Sequence, residues 1–192
     1  QMWFDSSTGK MYVFYDDGTS SQWVSAIGGS LAGSVLQVVS TTKTDTFSTT
    51  SASFTDVTGL TASITPVSTS SKIMVFLDMR LSSTIASGEG ISYQLSGGNA
   101  GTYIGDTASS RTRAVGAFRT AGAGGADFSW GASMLSVTAN YLDSPNTTST
   151  TTYSGQVKTT AGTLYVNRSS TDSDASNYAR GASTITLMEI AG

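Results

Sequence analysis

KIMVFLDMRL, residues 72–81, carries the reading of the fold. In an extended strand Ile73, Val75, Leu77, Met79 and Leu81 point one way, and Met74 and Phe76 point the other. An antiparallel strand with one wet face alternates cleanly between apolar and polar residues. This one does not, and neither does TITLMEIA (184–191), where Ile185 and Leu187 oppose Met188 and Ile190. A second sheet covers one face of such a strand. With no helical pattern at hand, a neighbouring subunit is the simplest cover for the other, so an obligate oligomer is expected. Met74, Phe76, Asp78, Arg80, Ile185 and Leu187 are the candidate interface residues. Asp78 and Arg80 share one side of the strand. They either pair across a symmetry axis and set register or stand as edge-strand charges that discourage aggregation.

Working outward, apolar residues at i, i+3, i+4 spacing are missing. Period-2 alternation bounded by Gly, Ser, Thr and Asn recurs roughly every 8–15 residues, the pattern of an all-β sandwich or barrel. Strands are expected near 35–40, 46–49, 53–57, 60–65, 72–81, 91–96, 113–119, 128–142, 152–158, 163–168 and 183–191. Long polar loops separate them at 82–90, 97–112, 120–127, 143–151 and 169–182. Residues 1–27 form a separate aromatic unit, MWFDSSTGKMYVFYDDGTSSQWVSAI from Met2 on. Strands are expected at 2–5, 10–15 and 22–27, with Asp17-Gly18 as a tight turn. So small a meander is marginal alone and has to lean on neighbours or copies of itself. GGSLAGS (28–34) reads as a linker, and 35–192 as the main domain.

Composition excludes much chemistry. The 192 residues hold no Cys and no His, so zinc sites of the usual ligand types, disulfides, thiol nucleophiles and imidazole-based triads are excluded. A formal charge of −3, with ten scattered basic residues, argues against nucleic-acid binding. No apolar run reaches the roughly 20 residues of a membrane-spanning helix. Ser and Thr supply 63 of the 192 residues, and charged residues only 12%. A start at Gln1 is read as the C-terminal part of a longer polypeptide.

The stretch WFDSSTGKMYVFYDDGTSSQWV (3–24) resembles the small aromatic meander of bacteriophage tail-fibre and related structural proteins. VLQVVSTTKTDTFSTTSASFTDVTGLTASITPVSTSSKIMVFLDM (35–79), YLDSPNTTSTTTYSGQVKT (141–159), TLYVNRSSTDSD (163–174) and STITLMEIA (183–191) resemble the C-terminal domain of phage fibres, those of marine and cyanobacterial tailed phages in particular. At coarse resolution 35–192 also resembles the C1q/tumour-necrosis-factor jelly roll. The shared pattern is Phe54, Asp56, Leu60, Ile64 and Pro66 before an apolar strand, and a closing C-terminal strand. These resemblances imply a jelly-roll-like antiparallel β-sandwich after the meander, a homotrimer, and a place on the virion exterior beside other virion proteins.

The expected function is non-catalytic: the distal part of a fibre that attaches to a host-surface glycan or protein by multivalent binding. The alternative is a capsid decoration, head fibre or tail-collar protein with an assembly role only. Exposed Tyr, Trp and Arg dominate recognition surfaces. The candidate binding residues are therefore Tyr103, Asp106, Arg111, Arg113, Trp130, Asn167, Arg168 and Tyr178, each of which could equally cap the core or solvate a loop. The meander aromatics either stack on sugars or form that unit's own core. Asp172 and Asp174 have a spacing a calcium loop could use, without the Gly and bidentate Glu of such a loop. Glu89, Glu189 and the scattered Asp residues show no glycosidase pairing. No enzyme activity, cofactor, metal site or membrane insertion is expected.

Overall fold

A computed structural model describes residues 1–7, 9–26, 32–84, 90–119 and 131–192. Strands β1 (Met2–Asp5), β2 (Lys10–Asp16) and β3 (Ser21–Ser25) form an antiparallel meander as a sheet of their own. The β2–β3 turn follows from its sequence. Gly18 takes φ +83°, and Asp17 accepts from the N–H groups of Thr19 and Ser20. The Thr19 hydroxyl, then these two N–H groups, hold the Asp17 carboxyl at about 2. Register places Trp3, Tyr12, Phe14 and Trp23 on one face, with Trp3–Tyr12 and Phe14–Trp23 ring centroids 5.3 and 5.4 Å apart. Met2, Val13 and Val24 line up across the other face. Both faces are therefore apolar, and none of these side chains is buried.

The remaining strands build a two-sheet antiparallel sandwich. They are β4 (Val35–Lys43), β5 (Phe47–Thr49), β6 (Thr55–Ile64), β7 (Lys72–Ser83), β8 (Gly90–Ser96), β9 (Gly116–Arg119), β10 (Leu135–Asp143), β11 (Thr151–Thr159), β12 (Leu164–Val166) and β13 (Ser183–Ile190). One sheet runs β6-β11-β8-β9. The other is centred on β7. Asp78 pairs with both Thr138 and Thr184, and Leu81 with both Leu135 and Val166, so β10 takes one edge of β7 while β13 and then β12 share the other. β4 and β5 pair outside β13 and β12. Among the described residues one 3₁₀ turn, Ala100–Thr102, is the only helical element.

The inward face of β7 (Ile73, Val75, Leu77, Met79, Leu81) packs against Leu60, Ile64, Leu95, Tyr153 and Val157 of the facing sheet. Each such aliphatic side chain contributes about 1.5–3 kcal/mol of burial. Ile185 and Leu187 belong to this core and are fully buried within their own chain. That corrects their assignment to a subunit interface: the period-2 pleat turns them inward and leaves Thr184, Thr186, Met188 and Ile190 on the open face.

The expected strands 53–57 and 60–65 are one strand, β6. Gly59 at φ +81° lets extra residues loop out without ending the pairing. Asp56 pairs with Gln156 and Thr61 with Ser154, so Val57 and Leu60, three apart, both face inward. Gly155 sits opposite this bulge, where a Cβ would lie 3.0 Å from Leu77 and 3.2 Å from Leu60. The expected strand 163–168 shortens to β12 because Asn167 adopts φ +64° and turns the chain away. The 128–142 run is described from 131 on, and its strand begins at Leu135.

The open face of the β7 sheet is graded. Leu142, Met74, Met188 and Val38 form a row across four strands, followed by Asn140, Phe76, Thr186 and Ser40, then Thr138, Asp78, Thr184 and Thr42. The apolar end lies where the chain enters, beside Val35 and Ile190. At the polar end the chain's own 168–182 loop supplies cover. Gly181 lies on the Arg80 side chain, and the Thr171 N–H donates to the Gly131 carbonyl on the far side of β7. Asp78 and Arg80 pair with each other within the chain.

Candidate functional site

The loop residues singled out in the sequence fall into two separate groups. The first is the 97–115 loop. Asp143, fully buried at the end of β10, anchors it: Oδ2 accepts from the Asn99 N–H (3.1 Å) and the Tyr153 hydroxyl (2.6 Å). Burial, then the bond to Asp143, pushes the Tyr153 hydroxyl well above the usual tyrosine value. Gly97 (φ +97°) and Gly98 let the backbone pass, since a Cβ at either would overlap Thr152 or Asp143. This polar anchor was not legible in the sequence, because Asp143 and Tyr153 stand on opposite ends of a loop with no motif.

Within that loop Tyr103 stacks on Tyr141 at 5.1 Å and stays 37% exposed. Beside it is a shallow cavity of about 330 Å³ lined by Tyr103, Ile104, Ala114 and Val115, among others. Arg113 spends its Nε on the Gly105 carbonyl (2.7 Å), and Arg111 lies near the Ala108 carbonyl. Asp106, Arg111 and Arg113 are exposed. The group is a surface with one aromatic face and few free polar groups.

The second group is the 168–182 loop, which leaves the sheet at the level of Arg80. Tyr141 sits opposite Val75, five positions away on β7, or about 17 Å along the strand. Asn167 is fully buried and is not a receptor contact. Its amide donates to the carbonyls of Lys43 (2.8 Å) and Asp45 (3.0 Å) and accepts from the Ser183 hydroxyl (2.5 Å). It staples the β4–β5 corner to the β12–β13 junction. Arg168 is likewise built in. Its guanidinium lies 4.1 Å over the Tyr165 ring, donates to the Ser169 and Ser170 carbonyls, and reaches Asp172 at 3.3 Å.

Asp172 also receives Arg180 Nη2 at 2.6 Å. Both guanidinium groups sit on Asp172 Oδ2, and no cluster of three metal-ligating side chains exists among the described residues. Asp174, Tyr178 and Arg180 line a polar cavity of about 270 Å³ with Asp172 and Ser173. Tyr178 is half-buried there. Trp130 lies outside the described residues.

No protein-family model matches the chain, and no curated protein matches it in sequence. Among solved structures it is similar to a chain of infectious bursal disease virus, Gt strain (13% identity, TM-score 0.37, covering 94% of this chain and 42% of that one). A chain of the Gx strain gives 12% identity and a TM-score of 0.35, covering 93% and 42%. The chain thus spans less than half the length of these matches.

Proposed function

We propose that this chain is the distal, non-catalytic part of a bacteriophage fibre, a homotrimer on the virion exterior that attaches to a host-surface glycan or protein. The observation that carries the reading is uncovered apolar surface in two places. The meander exposes nine large apolar or aromatic side chains on its two faces. The open face of the sandwich adds Val38, Phe76 and Leu142 around half-buried Met74 and Met188. Exposed apolar patches of this kind mark interaction surfaces. The occupant is further copies of the chain. The open-face row bears no charge, and it adjoins the point where the linker enters. Nine residues (26–34) separate β3 from β4, a reach of at most about 32 Å. Oligomerising sandwiches therefore hold their meanders at high effective concentration. The sequence resemblance to phage fibres supports the trimer and the virion location.

Multivalent attachment suits the rest of the surface, since three shallow polar sites per knob turn weak contacts into firm adhesion. Cryo-EM of the particle that carries this chain tests the proposal. Density at the distal fibre tips, with the sandwich outermost, supports attachment. Density on the capsid or in the tail collar replaces it with an assembly role, and the loop assignments fall with it.

A further inference from the structure

We propose that the 172–180 segment of the β12–β13 loop is a monosaccharide pocket for a neutral hexopyranose; the assignment deepens the attachment reading and rests on it. The cavity, about 270 Å³, is at the lower edge of small-ligand pockets and has room for one sugar ring. Its walls are preorganised. The loop that carries it is tied down at both sides, by the backbone bridge between Arg168 and Arg180 and by the Thr171–Gly131 hydrogen bond. Ala175 and Tyr178 donate their N–H groups to the Ser173 and Ala175 carbonyls, which shapes the rim. Arg168 has its donors committed to the loop backbone and to Asp172, so it serves as scaffold.

The groups left over are those a sugar needs. Asp174 is an exposed carboxylate with no hydrogen-bond or ion-pair partner among the described residues. Arg180 commits Nη2 to Asp172, and its Nε and Nη1 have no side-chain or carbonyl partner among the described residues. The Asp174 carboxylate accepts from ring hydroxyls, the Arg180 guanidinium donates to them, and the half-buried Tyr178 ring offers a flat face to the C–H side of the pyranose. Charge sets the class. Asp172 and Asp174 outnumber Arg180 in the lining; Asp172 is paired with Arg168 and Arg180, and the one uncommitted charge, Asp174, repels a uronic or sialic carboxylate.

The test is an amide-shift titration of the full chain with methyl gluco-, galacto- and mannopyranosides up to about 50 mM, the range expected for a single-ring ligand. Glucuronic and sialic acid serve as contrasts. The expected result is shifts confined to 171–181 for at least one neutral sugar. Asp174→Asn and Tyr178→Ala should each weaken it about tenfold or more at unchanged melting temperature, and Tyr178→Phe should retain it. No shift in that segment with any neutral sugar, or equal binding by Asp174→Asn and Tyr178→Ala, overturns the assignment. A parallel assay, in which the chain competes with particles for adsorption to host cells, separates the two readings. Competition that survives Tyr178→Ala removes the pocket and leaves attachment standing. Sugar bound in the pocket by a chain that does not compete removes attachment and leaves the pocket standing.

Discussion

Replacing Asn167 with Ala separates a structural staple from a recognition residue. The side chain is fully buried, and its amide satisfies two backbone carbonyls and the Ser183 hydroxyl, which in turn accepts from the Arg80 N–H (3.1 Å). A buried polar group that loses its partner costs about 1–3 kcal/mol. The Asp45 carbonyl is only partly buried and recovers some of that from water. Ala at φ +64° adds about 1 kcal/mol of backbone strain that Asn tolerates better. The expected loss is about 4 kcal/mol, a large part of the roughly 5–15 kcal/mol that stabilises a domain. In urea unfolding the midpoint should fall with the slope unchanged, and melting should drop by roughly 8–16 °C. Asn167→Gly should be less damaging by about 1 kcal/mol, since glycine accepts the left-handed backbone. An Ala variant within about 0.5 kcal/mol of the parent, or one that loses adsorption competition at full stability, would refute the reasoning.

Three further outcomes follow from the same geometry. Leu187→Ala should cost about 2–5 kcal/mol as a core cavity, whereas Met188→Asp, one residue on and outward-facing, should keep the fold and lower the molar mass seen by light scattering. An unchanged mass removes the open face from the interface. Burial raises the Glu189 carboxyl, but the bonds it accepts from Gln37 and the Val67 N–H outweigh this and hold it below its ordinary value. Its stabilisation is thus complete above about pH 5 and is lost as pH falls through the lowered folded value. Tyr153 has the opposite sign: its raised value adds stability below about pH 10 that is lost above it, by at most about 1.4 kcal/mol per pH unit. Unfolding midpoints against pH in Glu189→Gln and Tyr153→Phe should lose the acid and alkaline slopes respectively. Gly97→Ala should destabilise by more than about 1 kcal/mol, because the left-handed backbone disfavours it and its Cβ would meet the Thr152 carbonyl; a melting temperature equal to the parent's argues against that close approach.

Period-2 patterning was enough to establish the all-β class, the meander, the Asp17-Gly18 turn and the position of most strands, because strand pairing depends on local alternation and turn chemistry. It also showed that β7 and β13 have two apolar faces. It does not say which face a residue from a neighbouring strand joins, so alternation alone sets Ile185 and Leu187 at an interface, whereas the register turns them into the core. The bulge at Gly59 hid in the same way: a positive φ reads as a strand break until β11 is seen to continue alongside.

The loops were legible as long and polar, but the fate of each side chain was not. Asn167 and Arg168, adjacent and both polar, read alike in sequence. Only the tertiary structure buries the first between two carbonyls more than a hundred residues away, which leave no local trace, and folds the loop so that the second stacks on Tyr165. Asp172 and Asp174, two apart and alike in sequence, part in the same way: the folded loop brings Arg168 and Arg180 onto the first and leaves the second free. What the sequence decided alone was the chemistry this chain lacks, with no histidine or cysteine to carry it. What the fold decided was which of its few charges remain available to a partner, since that depends on where the chain returns on itself.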